Sequence, residues 1–370
     1  MNYKVPEEHE ALRKRVREFA EGELAGSAFT WDQEGSAPAD ILAKLGEAEL
    51  LGVSVPKAMG GQELDLLAEV IVVEELARVE GGVATMAAFH NGYATRALCH
   101  ASDSLKGELL PKLTKGEALA TFAGEDALDQ EGEAVATTFK EDGDGYVLNG
   151  KKLFVANAPV ADYYVVLAKN GGEETAFVVA KNDPGVSFGE ELNTMGIRSA
   201  HVADLILDNV KVPKDRILSG ANKDGKMVAA TLAEAPVVVG ALALGMGQGS
   251  YEKALEYSKE RIQFGKPIAA LQGISFQLAD MDTALEGARL TLYKAASCKE
   301  KDARAEAARA KIFASDIAHT VVNQGLQIFG GSGFIKGMEV ERFYRDQKIT
   351  QIIGTSNEKL RDFLADELFA

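Results

Sequence analysis

Several residues have types and spacings that could support chemistry. The glycine-rich run at 330–333 follows a helical stretch, and glycines allow a backbone to approach a phosphate group or a planar ring closely. Glu125 and Asp126 form an acidic pair, for which the ordinary interpretation is a solvated loop. Cys99 and Cys298 are far apart and match no metal-binding or redox spacing, so we expect small, buried or half-buried thiols. No metal site is predicted.

The composition limits the classes of function that this chain could have. It has 370 residues, of which 46% are hydrophobic and 26% charged, so we expect two or three domains with cores that need no disulfide or metal. Its net charge of −16 argues against nucleic-acid binding, because contacts with phosphates need a basic surface. We find no signal-peptide core, and no run that approaches the roughly 18 apolar residues of a membrane span. A cytoplasmic protein, or one from an equivalent reducing compartment, is expected.

Hydrophobic periodicity divides the chain into three parts. Residues 1–117 are predicted to form an N-terminal helical domain, 118–225 a middle β domain and 226–370 a C-terminal helical bundle. The segments that carry these patterns are Leu12, Val16 and Phe19 in the first part, 163–167 and 176–180 in the second, and Ala310, Phe313, Ile317 and Val321 in the third.

Four stretches in these parts share their residues and order with a known family. They are Arg261–Ile268 (RIQFGKPI) followed by Gln272, Gln327–Phe334 (QIFGGSGF), Arg342–Asp346 (RFYRD) followed by 354–356 (GTS), and Asn149–Ala158 (NGKKLFVANA). Together they resemble the acyl-CoA dehydrogenase family. The resemblance implies an α+β, mostly α fold with an N-terminal helical domain, a middle antiparallel β domain and a C-terminal four-helix bundle. It also implies an oligomer, usually a tetramer built as a pair of dimers.

The same resemblance implies FAD as the cofactor and indicates which residues bind it. Arg261 occupies the place of a family arginine, and a guanidinium can hold a pyrophosphate with two directed N–H donors. In the family, the positions of Gln327 and Gly331 reach the flavin nucleotide of a neighbouring subunit, and the position of Phe154 packs near the flavin ring. The full implied set is Phe154, Ala156, Arg261, Phe264, Gln272, Gln327, Gly330, Gly331, Thr355 and Asn357.

The chain departs from the family at the catalytic base. In the family reaction a carboxylate takes the α-proton of an acyl thioester and the flavin N5 takes the β-hydride. The usual glutamate precedes a Gly-Thr pair, but here Ile353 precedes Gly354, which leaves only a backbone N–H to contact the thioester carbonyl. A minority of the family places the glutamate on another helix, at the position of Ala235. Glu234 is one residue away, and Pro236 could redirect it, so Glu234 is the candidate displaced base; the alternative is a helix-start or solvated acid.

Two further departures concern the flavin ring and its surroundings. The family usually has a Thr-Glu-Pro-like segment where this chain has Gly124, Glu125 and Asp126, and commonly a hydroxyl residue where it has Ala156. Side-chain donors to the flavin are therefore lost. His90 lies in a helix that borders the acyl pocket in the family, and it is either an acid–base group or a packed histidine.

Three functions remain open at this point. The leading one is an FAD-dependent acyl-CoA oxidoreductase with a displaced base, which passes electrons to an electron-transferring flavoprotein or runs in reverse as an enoyl-CoA reductase. The second is a different enzyme on the same scaffold, such as one that catalyses elimination or desulfination or uses reduced flavin with oxygen. The third is a catalytically silent subunit of a mixed tetramer.

Overall fold

The computed structural model describes residues 5–128, 134–171, 173–218, 226–298 and 303–369. Helices occupy the chain up to Thr114, with π-helical turns at Ala20–Leu24 and Ala88–Thr95. The α-helices of this part are α1 (Glu7–Phe19), α2 (Ala28–Glu34), α3 (Ile41–Glu47), α4 (Leu66–Ala77), α5 (Gly81–Ala87), α6 (Arg96–Leu98) and α7 (Asp103–Thr114).

Helix α4 is the centre of the N-terminal part. All of its residues are buried, because its sequence is apolar on nearly every face and the helix lies between α1 and the C-terminal helices. Its N-terminus is capped by the Asp65 carboxylate, which accepts the Ala68 N–H at 3.2 Å. Two of its buried acids are paired with arginines, Glu74 with Arg289 at 2.8 Å and Glu75 with Arg17 at 2.9 Å, which satisfies charges that would otherwise be costly to bury.

The middle part is a twisted sheet with strand order β1-β6-β4-β5-β9-β8, in which β7 pairs with β6. The strands are β1 (Ala120–Ala123), β2 (Ala127–Leu128), β3 (Ala134–Val135), β4 (Thr138–Asp142), β5 (Gly145–Val155), β6 (Tyr163–Asn170), β7 (Glu173–Ala180), β8 (Val186–Phe188) and β9 (Ala203–Pro213); β2 and β3 form a separate pair. Most pairings are antiparallel, as expected, whereas β6 runs parallel to β1 and β4.

The C-terminal part is helical again. Its elements are α8 (Lys226–Glu234), α9 (Pro236–Glu260), the hairpin strands β10 (Ile262–Gln263) and β11 (Lys266–Pro267), α10 (Gln272–Ala296), α11 (Ala303–Ile328), α12 (Val340–Gln347) and α13 (Asn357–Phe369). Helices α9, α10, α11 and α13 pack as a bundle, so the predicted fold class is confirmed. The exact domain boundaries stay a prediction, and the one at 225 lies outside the described residues.

One apolar stretch is longer than the sequence suggested. Lys226–Glu260 contains a window with the length and a mean hydropathy, 1.9, of a membrane span, contrary to our expectation. Of that window, 67% is buried inside the protein, as is usual for the core helix of a bundle. Proline at the first position of α9 separates it from α8.

Two glycines let α9 pack so closely against α4 that the two main chains are in contact. A Cβ on Gly245 would lie 2.2 Å from the carbonyl oxygen of Glu74, and one on Gly249 would lie 2.1 Å from that of Arg78. These residues are one helical turn apart on the same face. No side chain fits between the two helices at this crossing, so it fixes the N-terminal helices against the bundle.

We predict that Gly245→Ala destabilises the protein by about 1–3 kcal/mol, because the added methyl group meets main-chain atoms that cannot rotate away. Gly107→Ala is the matched control, since a Cβ on Gly107 in α7 has nothing within 4 Å, and it should leave stability unchanged or raise it slightly. Denaturant unfolding of both variants at equal flavin content checks this. Equal midpoints for Gly245→Ala and the wild type would contradict the proposed contact.

Candidate active site

A cavity of about 610 Å³ lies where the sheet meets the C-terminal helices. Its volume falls within the range of small-molecule and cofactor sites, and its wall is predominantly apolar. The lining residues with polar side chains are Glu125, Asn193, Thr194, Arg345, Lys348 and Thr355, and the apolar ones include Phe89, Phe122, Leu153, Phe154, Leu167, Ile349, Ile352 and Ile353.

The turn that carries the family's base position forms one wall of this cavity. Ile353, Gly354 and Thr355 all line it, and Gly354 and Thr355 have positive φ angles of 62° and 79°. The N–H of Ile353 donates to the carbonyl of Ile349 at 3.0 Å. Our expectation of a free backbone donor for a thioester carbonyl is therefore wrong for this conformation, because the turn continues the preceding helical segment and uses that N–H itself.

A buried lysine holds the turn from behind. Lys311 of α11 is fully buried, and its Nζ donates to the carbonyl oxygen of Thr355 at 2.9 Å and to Oδ1 of Asn357 at 2.8 Å. Burial lowers the pKa of Lys311 to about 7, because a charged ammonium loses its hydration there. The Asn357 amide also donates to Ser315 at 2.9 Å. Asn357 is thus committed to the bundle interior and is not among the residues that line the cavity.

A local distortion of strand β5 directs Phe154 outward. The register with β9 shifts between Lys152 and Val155, Phe154 has a φ of +52°, and its N–H donates to the Asp204 carboxylate at 3.1 Å. The Phe154 side chain is 59% exposed and lines the cavity together with Ala156. Such a bulge aims a side chain away from the regular pleat, here at the space where a planar ring would lie.

The residues present fit a flavin on two observations. An exposed phenylalanine beside an apolar cavity offers a surface on which an aromatic ring can stack. Next to Ala156, Asn157 is fully buried, and neither its Oδ1 nor its Nδ2 finds a partner among the described residues. An unsatisfied buried amide costs about 1–3 kcal/mol, so this side chain, which follows the cavity-lining Ala156 in the chain but does not line the cavity itself, would gain from a polar partner.

Two aromatic rings of the cavity wall, Phe89 and Phe122, stack on a third, Tyr93, which does not itself line the cavity. Tyr93 stacks on Phe89, with ring centroids 5.0 Å apart, and on Phe122, 5.2 Å apart. Phe89 and Tyr93 belong to the π-helical turn after α5, and the Tyr93 hydroxyl donates to the carbonyl of Gly354 at 3.2 Å. The row therefore lies against the base position and closes that side of the cavity with apolar surface.

His90 is a packed histidine and not an acid–base group. It is fully buried, one ring nitrogen lies 3.1 Å from the Leu113 carbonyl oxygen, and the other accepts the Ala120 N–H at 3.1 Å. Burial lowers the pKa of His90 to about 4, so the ring is neutral near pH 7. It joins α7 to β1.

Glu234 is not brought to the cavity. It is the last residue of α8, and its Oε2 accepts a hydrogen bond from the Arg96 guanidinium at 2.9 Å. Ala235, the position to which the family comparison pointed, is fully buried. The proline at 236 starts a new helix, and Glu234 pairs with α6 instead of turning toward the turn at 353–355.

The other predicted cofactor positions lie on the surface, away from the cavity. Tyr257 and Phe329 stack with centroids 4.1 Å apart, which brings the ends of α9 and α11 together. Six predicted residues sit at this end and are exposed: Arg261, Phe264, Gln272, Gln327, Gly330 and Gly331. None of them lines the cavity. That some of them reach the cofactor of a neighbouring subunit stays a prediction.

The residues singled out from the sequence did not include two residues of the site, Lys311 and Tyr93. Lys311 lies on a helix face that is otherwise apolar, with Ala307 and Ala314 buried on either side, and a lone lysine within such a stripe was the available signal. Tyr93 has an ordinary helical context, and only the tertiary contact with Gly354 gives it a role.

We predict that Lys311→Met changes how stability depends on pH. In the wild type the unfolded chain binds more protons than the folded one between the folded-state pKa of about 7 and the ordinary value of 10.5. Unfolding free energy should therefore rise with pH across that window, by at most about 1.4 kcal/mol per pH unit from this group. The variant should lose this rise. Denaturant unfolding at several pH values, with the exposed Lys14→Met as control, measures it; parallel curves for Lys311→Met and the wild type would refute the assignment.

Comparison with known proteins identifies the family. Three models match along the chain: the acyl-CoA dehydrogenase N-terminal domain at residues 6–117, the middle domain at 123–210 and the C-terminal domain at 224–369. A 3-(aryl)acrylate reductase of Clostridium sporogenes is 38% identical, with 98% of each chain covered.

Solved structures agree with this match. Butyryl-CoA dehydrogenase from Megasphaera elsdenii has a TM-score of 0.92 and 32% identity, with both chains fully covered. A chain in a structure of the electron transferring flavoprotein of Acidaminococcus fermentans also has a TM-score of 0.92, with 33% identity, and covers 100% of this chain and 99% of that one. The protein therefore belongs to the acyl-CoA dehydrogenase family of FAD-binding flavoenzymes.

Proposed function

We propose that this protein is an FAD-dependent oxidoreductase that acts on the Cα–Cβ bond of an acyl-CoA thioester. The observation that carries the proposal is the apolar cavity in which the turn at 353–355 faces Phe154 and Ala156. The turn is where a thioester would present its α-carbon, and the bulge at Phe154 is where a flavin ring would stack. Bound FAD would supply the two-electron hydride chemistry.

We assign two roles to the residues that would bind the cofactor. Phe154, Ala156 and Thr355 would hold the ring in the cavity of their own subunit. Gln327 and Gly331 lie on the exposed end of the bundle and would reach the nucleotide of a neighbouring subunit, as the family resemblance implies, and Arg261 at the same end would hold a pyrophosphate. We infer a homotetramer from the same resemblance, with a mixed tetramer as the alternative.

The cavity itself contributes positioning and exclusion of water. Its apolar lining keeps the reacting carbons out of bulk solvent, which strengthens every charge interaction inside. The Tyr93 hydroxyl, which donates a hydrogen bond to the carbonyl of Gly354, would hold the turn at a fixed distance from the acyl group. Arg345 adds little charge of its own, because it forms a bidentate pair with Asp32 at 2.7 and 2.8 Å.

The purified protein tests this proposal directly. We expect a flavin absorbance band with a stoichiometric content of FAD, and bleaching of that band by one or more saturated acyl-CoAs under anaerobic conditions. Reduction by dithionite is the control for a functional flavin. A protein that retains FAD and is reduced by dithionite, but whose band no acyl-CoA or enoyl-CoA perturbs, would refute the proposal.

Ile353→Glu should raise the rate of flavin reduction by a saturated acyl-CoA, by at most the roughly 10²–10⁴-fold that a positioned general base contributes. Position 353 faces the cavity, and a carboxylate there would gain basicity from the apolar lining. Ile353→Gln, which has a similar shape without a basic group, is the matched control and should give no gain. Stopped-flow absorbance measures both; equal rates for the two variants would mean that residue 353 does not face the α-carbon.

One observation favours a second candidate, a catalytically silent subunit. Ile353 cannot accept a proton, and its N–H is occupied by Ile349. Such a subunit would bind FAD but bleach only after assembly with a glutamate-bearing relative. Bleaching by the isolated homo-oligomer excludes it.

Partners and location are proposed on the same basis. We infer that electrons leave through an electron-transferring flavoprotein or enter in the reverse reaction, as the similarity to a chain in such a structure suggests. The expected location is the cytoplasm.

A further inference from the structure

We propose that Glu125 is the carboxylate that exchanges the α-proton of the bound thioester, a role that rests on the proposed function above. The turn supplies no base at Ile353, and Glu234 is held by Arg96 outside the cavity. A proton-transfer group must lie within reach of the substrate, so the cavity wall is the place to find it.

Among the described residues that line the cavity, Glu125 alone has a carboxylate. It lies between β1 and β2, and its backbone carbonyl accepts the Leu153 N–H at 2.9 Å. That bond fixes Glu125 beside the bulge that presents Phe154. The neighbouring acid, Asp126, is not an alternative, because it is bound to the buried Lys152 at 2.6 Å and does not line the cavity.

The position of Glu125 relates it to the turn at 353–355. Burial raises the pKa of the Tyr93 phenol, and the charge of Glu125 raises it further, which requires the carboxylate to lie near that ring. The Tyr93 hydroxyl in turn donates a hydrogen bond to the carbonyl of Gly354. Phe122, which stacks on Tyr93, lies three residues before Glu125 in the chain. Glu125 therefore lines the cavity together with Phe122 of the aromatic row and the family's base position at Ile353.

Lys359 of α13 forms an ion pair with this carboxylate. Its Nζ lies 2.6 Å from Oε2 of Glu125, and both side chains are about half exposed. An exposed pair of this kind is weak and exchanges with solvent. Because the pair is weak, the Glu125 carboxylate can leave Lys359 and turn toward a bound thioester.

The step is a simple enolisation. The Cα–H bond of the thioester breaks, an O–H bond forms on Glu125, and the electron pair of the C–H bond moves into the enolate of the thioester carbonyl. Lys359 then faces a neutral acid, and the proton returns to Cα or passes to solvent. No oxidant is needed for this half of the chemistry, so it can be observed apart from hydride transfer.

Deuterium exchange isolates this step. In 3-thiabutanoyl-CoA a sulfur replaces the β-carbon, so the substrate has an exchangeable α-CH₂ and no β-hydride. In D₂O, the FAD-loaded wild type should catalyse α-deuteration measured by NMR, and Glu125→Gln should slow it by about 10²–10⁴-fold. Glu174→Gln is the matched control, because Glu174 is an equally exposed glutamate paired with Lys169 at 3.4 Å in the sheet, and it should exchange at the wild-type rate. Glu125→Asp should retain part of the activity.

Calorimetric measurement of binding of the same thioester distinguishes failure of the role of Glu125 from failure of the proposed function. If Glu125→Gln binds the thioester and exchanges like the wild type, or if Glu234→Gln abolishes exchange, Glu125 is not the group. If the wild type binds thioesters and bleaches with butanoyl-CoA but shows no α-exchange, the inference fails and the proposed function stands. If no thioester binds or perturbs the flavin, the proposed function fails as well.

Discussion

The backbone contact between α4 and α9 is the constraint on which the rest of the structure depends. Gly245 and Gly249 leave no side chain between the two helices, so the N-terminal helices and the bundle share one core rather than meeting at a soft interface. Dense packing of this kind does not deform continuously. The elements at either end of the crossing, including the π-helical turn with Tyr93 and the helix that precedes Arg261, therefore keep fixed positions relative to each other.

The cavity follows from that rigidity. Its wall combines a sheet strand, a turn after α12 and a turn after α5, which are distant in sequence and hold their places by a few polar anchors. Lys311 secures the carbonyl of Thr355 from within the bundle, Tyr93 secures Gly354 from the N-terminal side, and Asp204 secures Phe154 from the sheet. In each case a side-chain donor or acceptor meets a main-chain group, which makes displacement of these segments costly.

Binding and chemistry have separate physical requirements here. The flavin needs a stacking surface, close backbone approach and distributed cationic contacts, and these are supplied by many residues, so the loss of a hydroxyl at Ala156 removes only one of them. Proton abstraction needs one carboxylate at one place. Isoleucine at position 353 leaves the scaffold unchanged, so the base must be another acid that the fold brings to the cavity. Glu125 and Glu234 differ in this respect only through tertiary contacts, because both are ordinary glutamates in sequence.

The sequence by itself determined the family, the order of helical, β and helical parts, and the cofactor, FAD. These properties depend on local periodicity and on short motifs, which are present in any conformation of the chain. Only the tertiary structure decided that the Ile353 N–H is already bonded, that His90 is packed between backbone groups and that Glu234 faces Arg96. It also revealed Lys311 and gave Glu125 a place in the cavity wall. The physical reason is that hydrogen-bond partners and burial arise from residues far apart in the chain, and a one-residue offset on a helix turns a side chain by about 100°.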